Sequence, residues 1–321
     1  MTGGPIFIIN PKSHKVKRRG SVLAELAKEA TDHTVVEFTG DRSLTPILAP
    51  HLDRGPGALF VEGGDGTVLA TLTACLAHRP DGKGLPRLGI LPGGSTNLAH
   101  ARVGIQRSSV KGLRRRLQSA DAPICEGLTA LQRTLLIETA NTEAPYAGFL
   151  LSTGSLSRAM LYTQTSLHRK RRGGLSIVRA ILQLGLFPKS TRYTDGEPVV
   201  RPSAFQALSA PCGGPATDHA FSLFSTFDTL SLGLRPFWGR GHHAIGFTQG
   251  TWPVRRLRTG IAKLVTGQPG ERLEAHGLSS RGCSEMTFAC EGPVVLDGEE
   301  LPMPADRIFK VSASPQLTFL R

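Results

Sequence analysis

Short apolar runs and helical patterns alternate through the first hundred residues, and this alternation limits the possible folds more than any other feature of the chain. The apolar runs have the length of a buried strand, and they cover residues 5–10, 34–39, 58–62 and 88–91. Between them, apolar residues recur at helical spacing. Strands that alternate with helices in this way predict an α/β fold, with a mostly parallel sheet and helices on both faces.

The pattern changes beyond residue 121. Strand-like stretches separated by glycine and proline turns follow at 128–138, 148–152, 199–200, 221–232 and 285–290. A helical stretch lies within 155–186. Because 321 residues are enough for about two domains, we predict an α/β domain over residues 1–121 and an antiparallel, β-rich domain over residues 122–304.

The most informative motif is a glycine cluster that directly follows a predicted strand and precedes a predicted helix. It consists of Gly63, Gly64, Asp65, Gly66 and Thr67. Glycines at such a turn let backbone N–H groups approach a phosphate at the start of the helix. A carboxylate beside phosphates repels them unless a cation lies between, so Asp65 indicates magnesium on a triphosphate. The alternative is a plain glycine turn in which Asp65 caps the helix.

Two common phosphate-binding motifs are excluded for this cluster. It is not a Walker A loop, because no Gly-Lys-Ser or Gly-Lys-Thr follows at the required spacing. It is not the dinucleotide fingerprint either, because Leu69 stands where the third glycine would fall.

A second glycine loop, residues 92–97, occupies the same position after the next strand. Two neighbouring loops at the carboxyl ends of parallel strands form a crevice where open α/β sheets bind ligands. We expect the hydroxyl of Ser95 or Thr96 to donate to phosphate, and Asn97 to hold the loop or to lie on the adenine side. The alternative is an ordinary helix N-cap at Thr96.

A third motif lies far along the chain, where Asp297, Gly298 and Glu299 follow an apolar stretch. Asp-Gly is the favoured pair of a type I′ hairpin turn, and taken alone this motif indicates only a turn. A second copy at residues 195–197 shows how readily the tripeptide occurs.

Together these motifs resemble the diacylglycerol kinase catalytic-domain family of lipid kinases, which includes bacterial diacylglycerol kinase-like enzymes and the sphingosine and ceramide kinases. The resemblance begins at residues 10–13, which are similar to the family's Asn-Pro-x-Ser-Gly, and it continues through Thr39 and the two glycine loops. It ends with residues 297–299. The glycine cluster at 63–67 is shared with NAD kinases, whereas the ordered set is specific.

The resemblance implies a phosphofructokinase-like nucleotide-binding domain, a second domain that is a β-sandwich, and a tail over residues 305–321 that returns to the first domain. It implies that ATP lies between the domains on the first glycine loop. Contacts to ATP fall to Thr39, residues 63–67 and Ser95, with Asn10 nearby. Asp297 is implied as the base that takes the proton from a lipid hydroxyl, and Glu299 as an accessory acid or a metal ligand.

Three departures from the family pattern stand out. His14 replaces the usual glycine after Ser13, and Leu98 stands where an acid is common. Residues 235–249 lack the acids that help to form a structural magnesium site in bacterial relatives, and His242 and His243 lie there instead. We therefore expect no second metal site, and we do not assign the two histidines as ligands.

The chain is strongly basic, with 38 lysines and arginines against 25 acids and a formal net charge of +13. Such a balance favours anionic partners. Because aromatic residues make up only 6% of the chain and none lies inside a basic run, we expect an anionic membrane surface rather than nucleic acid. For any single cluster, a solvated protein face is the alternative. The clusters lie at residues 12–19, 114–116, 168–172 and 255–258.

The location of the protein is predicted from its cysteines and its apolar segments. The five cysteines are scattered and never spaced as CxxC, which favours reduced thiols over disulfides or a zinc site. No apolar run reaches the length needed to cross a bilayer, and the N-terminus does not resemble a secretory signal. We expect a cytoplasmic protein that associates peripherally with membrane.

The leading hypothesis is an ATP- and magnesium-dependent lipid kinase. The alternatives are an NAD kinase-like enzyme, a non-catalytic nucleotide-dependent lipid-binding protein and a nucleic-acid binder. Nothing in the sequence identifies the lipid, so a diacylglycerol, a sphingoid base, a ceramide and a phosphatidyl lipid all stay open, as does the oligomeric state.

Overall fold

The computed structural model describes residues 3–29, 32–94, 97–106, 109–118, 129–167, 192, 196–209, 213–230, 233–253 and 271–321. The chain divides into two compact units. The first comprises Met1–Thr134, Ala144–Gly148 and Ser314–Arg321, and the second comprises Leu135–Glu143 and Phe149–Ala313.

The strands, in chain order, are β1 (Ile6–Ile9), β2 (Thr34–Glu37), β3 (Ala58–Gly63), β4 (Arg87–Pro92), β5 (Thr129–Gln132), β6 (Leu135–Glu138), β7 (Tyr146–Gly148), β8 (Leu150–Thr153), β9 (Ser203–Ala207), β10 (Thr217–Ser225), β11 (Ile245–Thr251), β12 (Leu278–Cys283), β13 (Glu285–Cys290), β14 (Val295–Leu296), β15 (Glu299–Glu300), β16 (Ile308–Ala313) and β17 (Leu317–Leu320). The α-helices are α1 (His14–Arg19), α2 (Val22–Ala27), α3 (Thr45–Leu52), α4 (Asp65–His78), α5 (Leu98–Val103), α6 (Val110–Gln118) and α7 (Gly154–Leu167). A 3-10 helix covers Glu271–His276.

The first unit contains a six-stranded sheet in the order β2-β1-β3-β4-β17-β5. Strands β1 to β4 and β17 are mutually parallel, and only β5 runs antiparallel to its neighbour. Every residue of β1 and β3 is buried, as expected for central strands covered on both faces. The predicted α/β fold with a mostly parallel sheet is therefore confirmed.

The core of the first unit is centred on the phenylalanine rings of β1 and β3. The rings of Phe7 and Phe60 meet edge to face with centroids 5.9 Å apart, and Leu23 and Leu26 of α2 pack into the same cluster. Gly89 of β4 lies opposite Phe60, and a side-chain carbon at this glycine would overlap that ring. Gly89 thus provides the space that the ring of Phe60 occupies.

The second unit is an antiparallel sheet that forks at β10. The first residues of β10 pair with β9 and its last residues pair with β8, while β11 pairs along its other side. From this fork one arm continues through β14 to β15 and the other through β13 and β16 to β6. The prediction of an antiparallel, β-rich second part is confirmed, whereas its arrangement as a sandwich stays a prediction.

A line of phenylalanine rings fills the core of the second unit. Phe224 lies between Phe247 and Phe288, with centroid distances of 4.6 and 5.3 Å. Phe288 in turn packs on Phe205 and Phe309. Because these rings come from five different strands, their packing fixes the strands relative to one another within this unit.

The predicted strand at 128–138 is in fact two strands that belong to different units. Its first part forms β5 in the first sheet and its second part forms β6 in the second. Between them, Thr134 and Ser314 make two hydrogen bonds. The N–H of Thr134 donates to Ser314 Oγ at 2.9 Å, and the N–H of Ser314 donates to the carbonyl of Thr134 at 2.9 Å. Because the apolar pattern is continuous through this crossing, the sequence alone did not predict it.

Three further sequence predictions concern the domain boundary, the C-terminal tail and membrane-spanning helices. The boundary at residue 121 lies outside the described residues. Of the tail over 305–321, residues 314–321 lie in the first unit and residues 305–313 in the second. Among the described residues, no helix combines the length and the apolar character that crossing a bilayer requires.

Candidate functional site

The loops that follow the parallel strands of the first unit lie at one edge of its sheet. Since β1, β3 and β4 are parallel neighbours, their carboxyl ends share this edge, where open α/β sheets bind their ligands. The edge therefore brings together the loop after β1 (residues 10–13) and the two predicted glycine loops.

The two glycine loops are packed backbone against backbone. The N–H of Gly93 donates to the carbonyl of Gly63 at 2.9 Å. A side-chain carbon at Gly93 would lie 2.6 Å from the Gly63 backbone, and one at Gly94 would lie 2.7 Å from Gly64 Cα. None of these glycines has a positive φ. They are required for close approach of the two loops rather than for an unusual backbone conformation.

The loop after β1 is joined to the start of α4 by a side-chain hydrogen bond. Asn10 Nδ2 donates to Thr67 Oγ1 at 2.9 Å, and Asn10 Oδ1 accepts from the N–H of Lys12 at 3.0 Å. Thr67 is buried. The structure thus brings two of the predicted ATP-contacting residues together, but they contact each other.

Ser13 completes this cluster, although it was not among the predicted site residues. Its Oγ accepts a hydrogen bond from the N–H of Gly64 at 3.2 Å. Two residues later, the N–H of Lys15 donates to the carbonyl of Gly93 at 2.9 Å. The loop after β1 is therefore bonded to the first glycine loop, and α1, which follows it directly, is bonded to the second. The available signal was the fixed spacing of Ser13 from Asn10 in the motif at 10–13.

Asn97 closes the second glycine loop on itself. Its Oδ1 accepts from the N–H of Gly94 at 2.9 Å, and its Nδ2 donates to the carbonyl of Gly94 at 2.7 Å. Asn97 has φ +53° and ψ +48°, a left-handed conformation that asparagine tolerates better than most residues. Asn97 was predicted either to hold the loop or to lie on the adenine side, and these two bonds are those of a residue that holds the loop. Ser95 and Thr96 lie outside the described residues.

Asp65 is the first residue of α4 and is partly exposed, with Gly64 at the N-cap position before it. The N-cap position, which the alternative interpretation gave to Asp65, is thus occupied by Gly64. The first N–H groups of a helix have no partner within it and carry partial positive charge, so this end of α4 favours an anion.

The residues at the edge fit a magnesium ion that arrives with a nucleotide. Within the part of the chain that the structure describes, no group of three or more His, Cys, Asp or Glu side chains could hold a metal ion. Magnesium is commonly bound by one or two carboxylates together with substrate phosphates, and Asp65 can supply such a carboxylate.

Thr39, after β2, is bonded to a carboxylate that was not predicted. Its hydroxyl donates to Asp41 Oδ1 at 2.6 Å. This hydrogen bond lowers the pKa of Asp41 below its ordinary value, and the nearby charges of Lys12 and Arg42 act in the same direction. Asp41 thus stays ionised beside the first lysine of the loop after β1.

The charge of Lys15 also acts on the site. Burial is the main cause that lowers the pKa of His100 in α5, and the nearby ammonium of Lys15 lowers it further. The ring of His100 is bonded to the carbonyl of Ile105 at 3.0 Å. His100 is thus held in its neutral form next to the positive charge of Lys15.

Glu62, the last residue before the glycine cluster, has a structural role. It is buried and accepts hydrogen bonds from Ser21 Oγ and from the N–H groups of Val22 and Leu23, at 2.6, 3.1 and 3.0 Å. These are donors at the start of α2, so the carboxylate caps that helix from the neighbouring strand. This contact fixes α2 against β3.

In the second unit, Asp297 is buried with 7% of its surface exposed. Oδ1 accepts from the N–H groups of Phe149 and Leu150, at 3.1 and 2.8 Å, and Oδ2 accepts from Phe149 at 2.9 Å. These bonds hold the carboxylate in one orientation.

The backbone at this position forms the tight turn between β14 and β15. Asp297 has φ +51° and Gly298 φ +94°, as a type I′ turn requires. The turn interpretation of this motif is correct for the backbone, and the side chain of Asp297 nevertheless faces inward. Glu299 is exposed, and Asp195 lies outside the described residues.

Comparison with known protein families gives a match over the first part of the chain. Residues 5–124 match the family described as "Diacylglycerol kinase catalytic domain". No curated protein matches the sequence.

The first two of the solved structures described next share the fold. A candidate diacylglycerol kinase from Bacillus anthracis str. Sterne superimposes with a TM-score of 0.64 at 12% identity, over 99% of this chain and 96% of that chain. A second structure, described as a diacylglycerol kinase from the same organism, has a TM-score of 0.56 at 12% identity, over 99% and 96% of the two chains. A yeast NADH kinase in complex with NADH has a TM-score of 0.48 at 9% identity, over 100% and 84%.

Proposed function

We propose that this protein is an ATP- and magnesium-dependent lipid kinase, because residues 5–124 match the family described as "Diacylglycerol kinase catalytic domain". It transfers the γ-phosphoryl group of ATP to the hydroxyl of a lipid. The observation that carries the proposal is the cluster of three bonded loops at the carboxyl edge of the first sheet.

The triphosphate is proposed to lie over the first glycine loop, in front of the first turn of α4. The partial positive charge at the N-terminal end of this helix attracts phosphate oxygens. Lys12 of the neighbouring loop and Lys15 of α1 add positive charge, and Asp65 holds magnesium together with the phosphates. Bound there, the ion neutralises the charge that develops on the transferred group.

The remaining predicted nucleotide contacts are part of the same proposal. Ser95 and Thr39 are assigned to the nucleotide directly; the Thr39 hydroxyl donates to Asp41, and its oxygen is the atom that would accept a hydrogen bond from the nucleotide. Asn10, Thr67 and Asn97 act instead by holding the loops in place, because their side-chain bonds are made to other loop residues. Preorganised loops bind phosphate without having to be ordered during the reaction.

Asp297 is proposed as the proton acceptor. The lipid hydroxyl transfers its proton to the carboxylate, its oxygen forms a bond to the γ-phosphorus, and the bond between that phosphorus and the bridging oxygen of ADP breaks. The bonds from the N–H groups of Phe149 and Leu150 stabilise the ionised form of the carboxylate and hold it in one orientation. Glu299 is proposed as an accessory acid or metal ligand, and its exposed position leaves it accessible.

An anionic membrane surface is the proposed location of the substrate, with the protein peripherally attached from the cytoplasmic side. Lys12, Lys15, Lys17, Arg18 and Arg19 form a basic segment around α1, whose buried residue is Val16. No salt bridge joins these cations to any described acid. Each such charge near an anionic bilayer contributes about 1 kcal/mol.

The test is an acceptor assay with ATP that carries label on its γ-phosphate. Purified protein is incubated with magnesium and, separately, with anionic vesicles containing diacylglycerol, a sphingoid base or ceramide, or with soluble NAD. The proposal expects label in an extracted lipid, absent when EDTA is added. Label on NAD would favour the NAD kinase alternative, and label on no acceptor would favour a non-catalytic lipid-binding protein.

A further inference from the structure

One arginine binds both ends of the segment between β10 and β11. Arg240 is largely buried, with 15% of its side chain exposed. Its Nη1 donates to the carbonyl of Thr226 at 3.0 Å and to Asp228 Oδ1 at 2.6 Å. Its Nε and Nη2 donate to the carbonyls of His243 and Ala244, at 2.8 and 2.7 Å. The guanidinium thus joins residues 226–228 to residues 243–244.

The oxygen atoms that accept hydrogen bonds from this guanidinium are of the kinds that also bind hard metal ions. Three carbonyl oxygens and one carboxylate oxygen are typical ligands of Mg²⁺ or Ca²⁺. An arginine offers five N–H donors in a fixed planar arrangement, and four of them are used here. The centre of this loop is therefore a cation site, and the guanidinium of Arg240 is the cation that occupies it.

The position of Arg240 explains why this chain can lack the structural magnesium site that the sequence analysis described for bacterial relatives. Residues 235–249, which lack the expected acids, contain no aspartate or glutamate at all. The residues present do not fit a magnesium ion, because the nearby oxygens already accept from Arg240. His242 and His243 are not needed as ligands, and it is the carbonyl of His243 that takes part.

The loop is also tightly placed against β12. A side-chain carbon at Gly282 would overlap the carbonyl of Arg240, and one at Gly239 would overlap the carbonyl of Ser280. The N–H of Gly239 donates to Ser280 Oγ at 3.1 Å. Because the backbone at residue 240 is fixed from this side, the guanidinium has a defined position from which to hold Thr226 and Asp228.

A short series of contacts connects this arginine to Asp297. Phe227 lies between the two residues that Nη1 binds, and its ring stacks on that of Phe149 at 4.7 Å with an interplanar angle of 11°. Ser225 Oγ donates to the carbonyl of Phe149 at 2.8 Å. Phe149 is the residue whose N–H binds both carboxylate oxygens of Asp297.

We propose that Arg240 supplies, as a built-in guanidinium, the positive charge that a structural metal ion would supply, and that it positions Asp297 through Phe227 and Phe149. Arg240 is a positioning residue, because its contacts are made to the loop. Its effect on turnover rests on the proposed function of Asp297, whereas its role as the resident cation does not.

The first arm of the test measures stability. Four proteins are unfolded thermally, with EDTA or with magnesium: the wild type, Arg240→Ala, Arg240→Lys and the control Arg281→Ala. The control removes an exposed arginine of β12. We expect the same Tm for the wild type in both, a loss of about 5–10 °C for Arg240→Ala, and a smaller loss for Arg240→Lys, which keeps the charge without the planar fork. Low millimolar guanidinium should recover part of the loss in Arg240→Ala and change nothing in Arg281→Ala.

Two outcomes of this arm would overturn the role as resident cation. One is a wild-type Tm that falls in EDTA, since a metal ion would then supply the charge. The other is a Tm of both Arg240 variants equal to that of the wild type. If Arg240→Ala does not fold, Arg240→Lys decides alone: an unchanged Tm contradicts the proposal and a lowered one supports it.

The second arm measures turnover on the lipid that the acceptor assay identifies. Arg240→Ala should lower kcat by about 10- to 100-fold with KM for ATP within about twofold, because only the position of the base changes. Guanidinium should restore part of kcat. A rise in KM for ATP with kcat unchanged would overturn the positioning role. A wild type that phosphorylates no lipid would contradict the proposed function and leave the stability arm intact.

Discussion

Replacement of Asp297 by asparagine should lower the rate of phosphoryl transfer to lipid by about 100- to 10,000-fold, the contribution of a positioned general base. The amide cannot accept the proton of the lipid hydroxyl, whereas the nucleotide loops of the first unit are unchanged. The affinity for ATP should therefore stay within about twofold, since the nucleotide contacts are untouched. Calorimetric ATP binding and the labelled-phosphate assay, on the same preparation, measure the two quantities.

Asparagine is the appropriate substitution because it tolerates the positive φ at residue 297. Its amide oxygen can still accept from Leu150 and Phe149, but its NH2 group replaces the oxygen that accepts from the N–H of Phe149 at 2.9 Å. We therefore expect a loss of about 1–3 kcal/mol in the free energy of unfolding. The matched control is Glu300→Gln, a neutralisation at an exposed position three residues away, which should leave turnover unchanged. Wild-type turnover in a folded Asp297→Asn variant would remove Asp297 from the mechanism.

Replacement of Gly93 by alanine should weaken ATP binding by at least about tenfold and lower the free energy of unfolding by about 1–3 kcal/mol, the usual cost of overpacking. The new methyl group would lie 2.6 Å from the backbone of Gly63. The two glycine loops must then separate, which breaks the hydrogen bond between Gly93 and Gly63 and displaces the carbonyl that Lys15 binds. Nucleotide titration and denaturant unfolding measure the two effects.

The control for stability is the corresponding change in the other loop, Gly64→Ala. There the added carbon would lie 3.5 Å from Gly94 Cα, an ordinary contact, and the φ of −83° suits alanine. We expect its free energy of unfolding to fall by less than about 1 kcal/mol, the cost of alanine at an N-cap. Equal stability of the two variants would contradict the role assigned to close loop packing, as would wild-type ATP affinity in Gly93→Ala.

The order of elements around the site could be predicted because each signal is local. The apolar runs of β1, β3 and β4, and the glycine clusters after the last two, can be recognised within windows of a few residues. Parallel neighbours then bring the loops to one edge of the sheet by geometry alone. This reasoning required no knowledge of side-chain contacts.

The contacts inside the cluster could not be predicted, because they depend on distances between loops. The sequence assigned Asn10 and Thr67 to ATP, and the structure bonds them to each other across 57 positions of chain. Ser13 was not selected, although its spacing from Asn10 in the motif at 10–13 was a signal. Asp41 was not selected because an aspartate in a polar loop has no pattern of its own. Glu62 was taken as the end of a strand, and its role as a cap for α2 depends on how helix and strand pack.

The surroundings of Asp297 illustrate the same limit in the second unit. The turn was predictable from its Asp-Gly pair, but the N–H groups that hold the carboxylate come from residues 148 and 147 positions earlier. The role of Arg240 was likewise absent from the sequence interpretation, which noted missing acids and a histidine pair. A guanidinium can replace a metal ion only where the fold converges several carbonyl oxygens, and such convergence is a property of the folded loop.

The most direct test of the central claim is hydrogen exchange of the backbone with and without a magnesium complex of a non-hydrolysable ATP analogue. The central claim is that the three bonded loops of the first unit hold the triphosphate. We therefore predict slower exchange in peptides covering residues 10–17, 63–68 and 93–98. Protection confined to other segments, with exchange in these three unchanged under saturating nucleotide, would contradict the account.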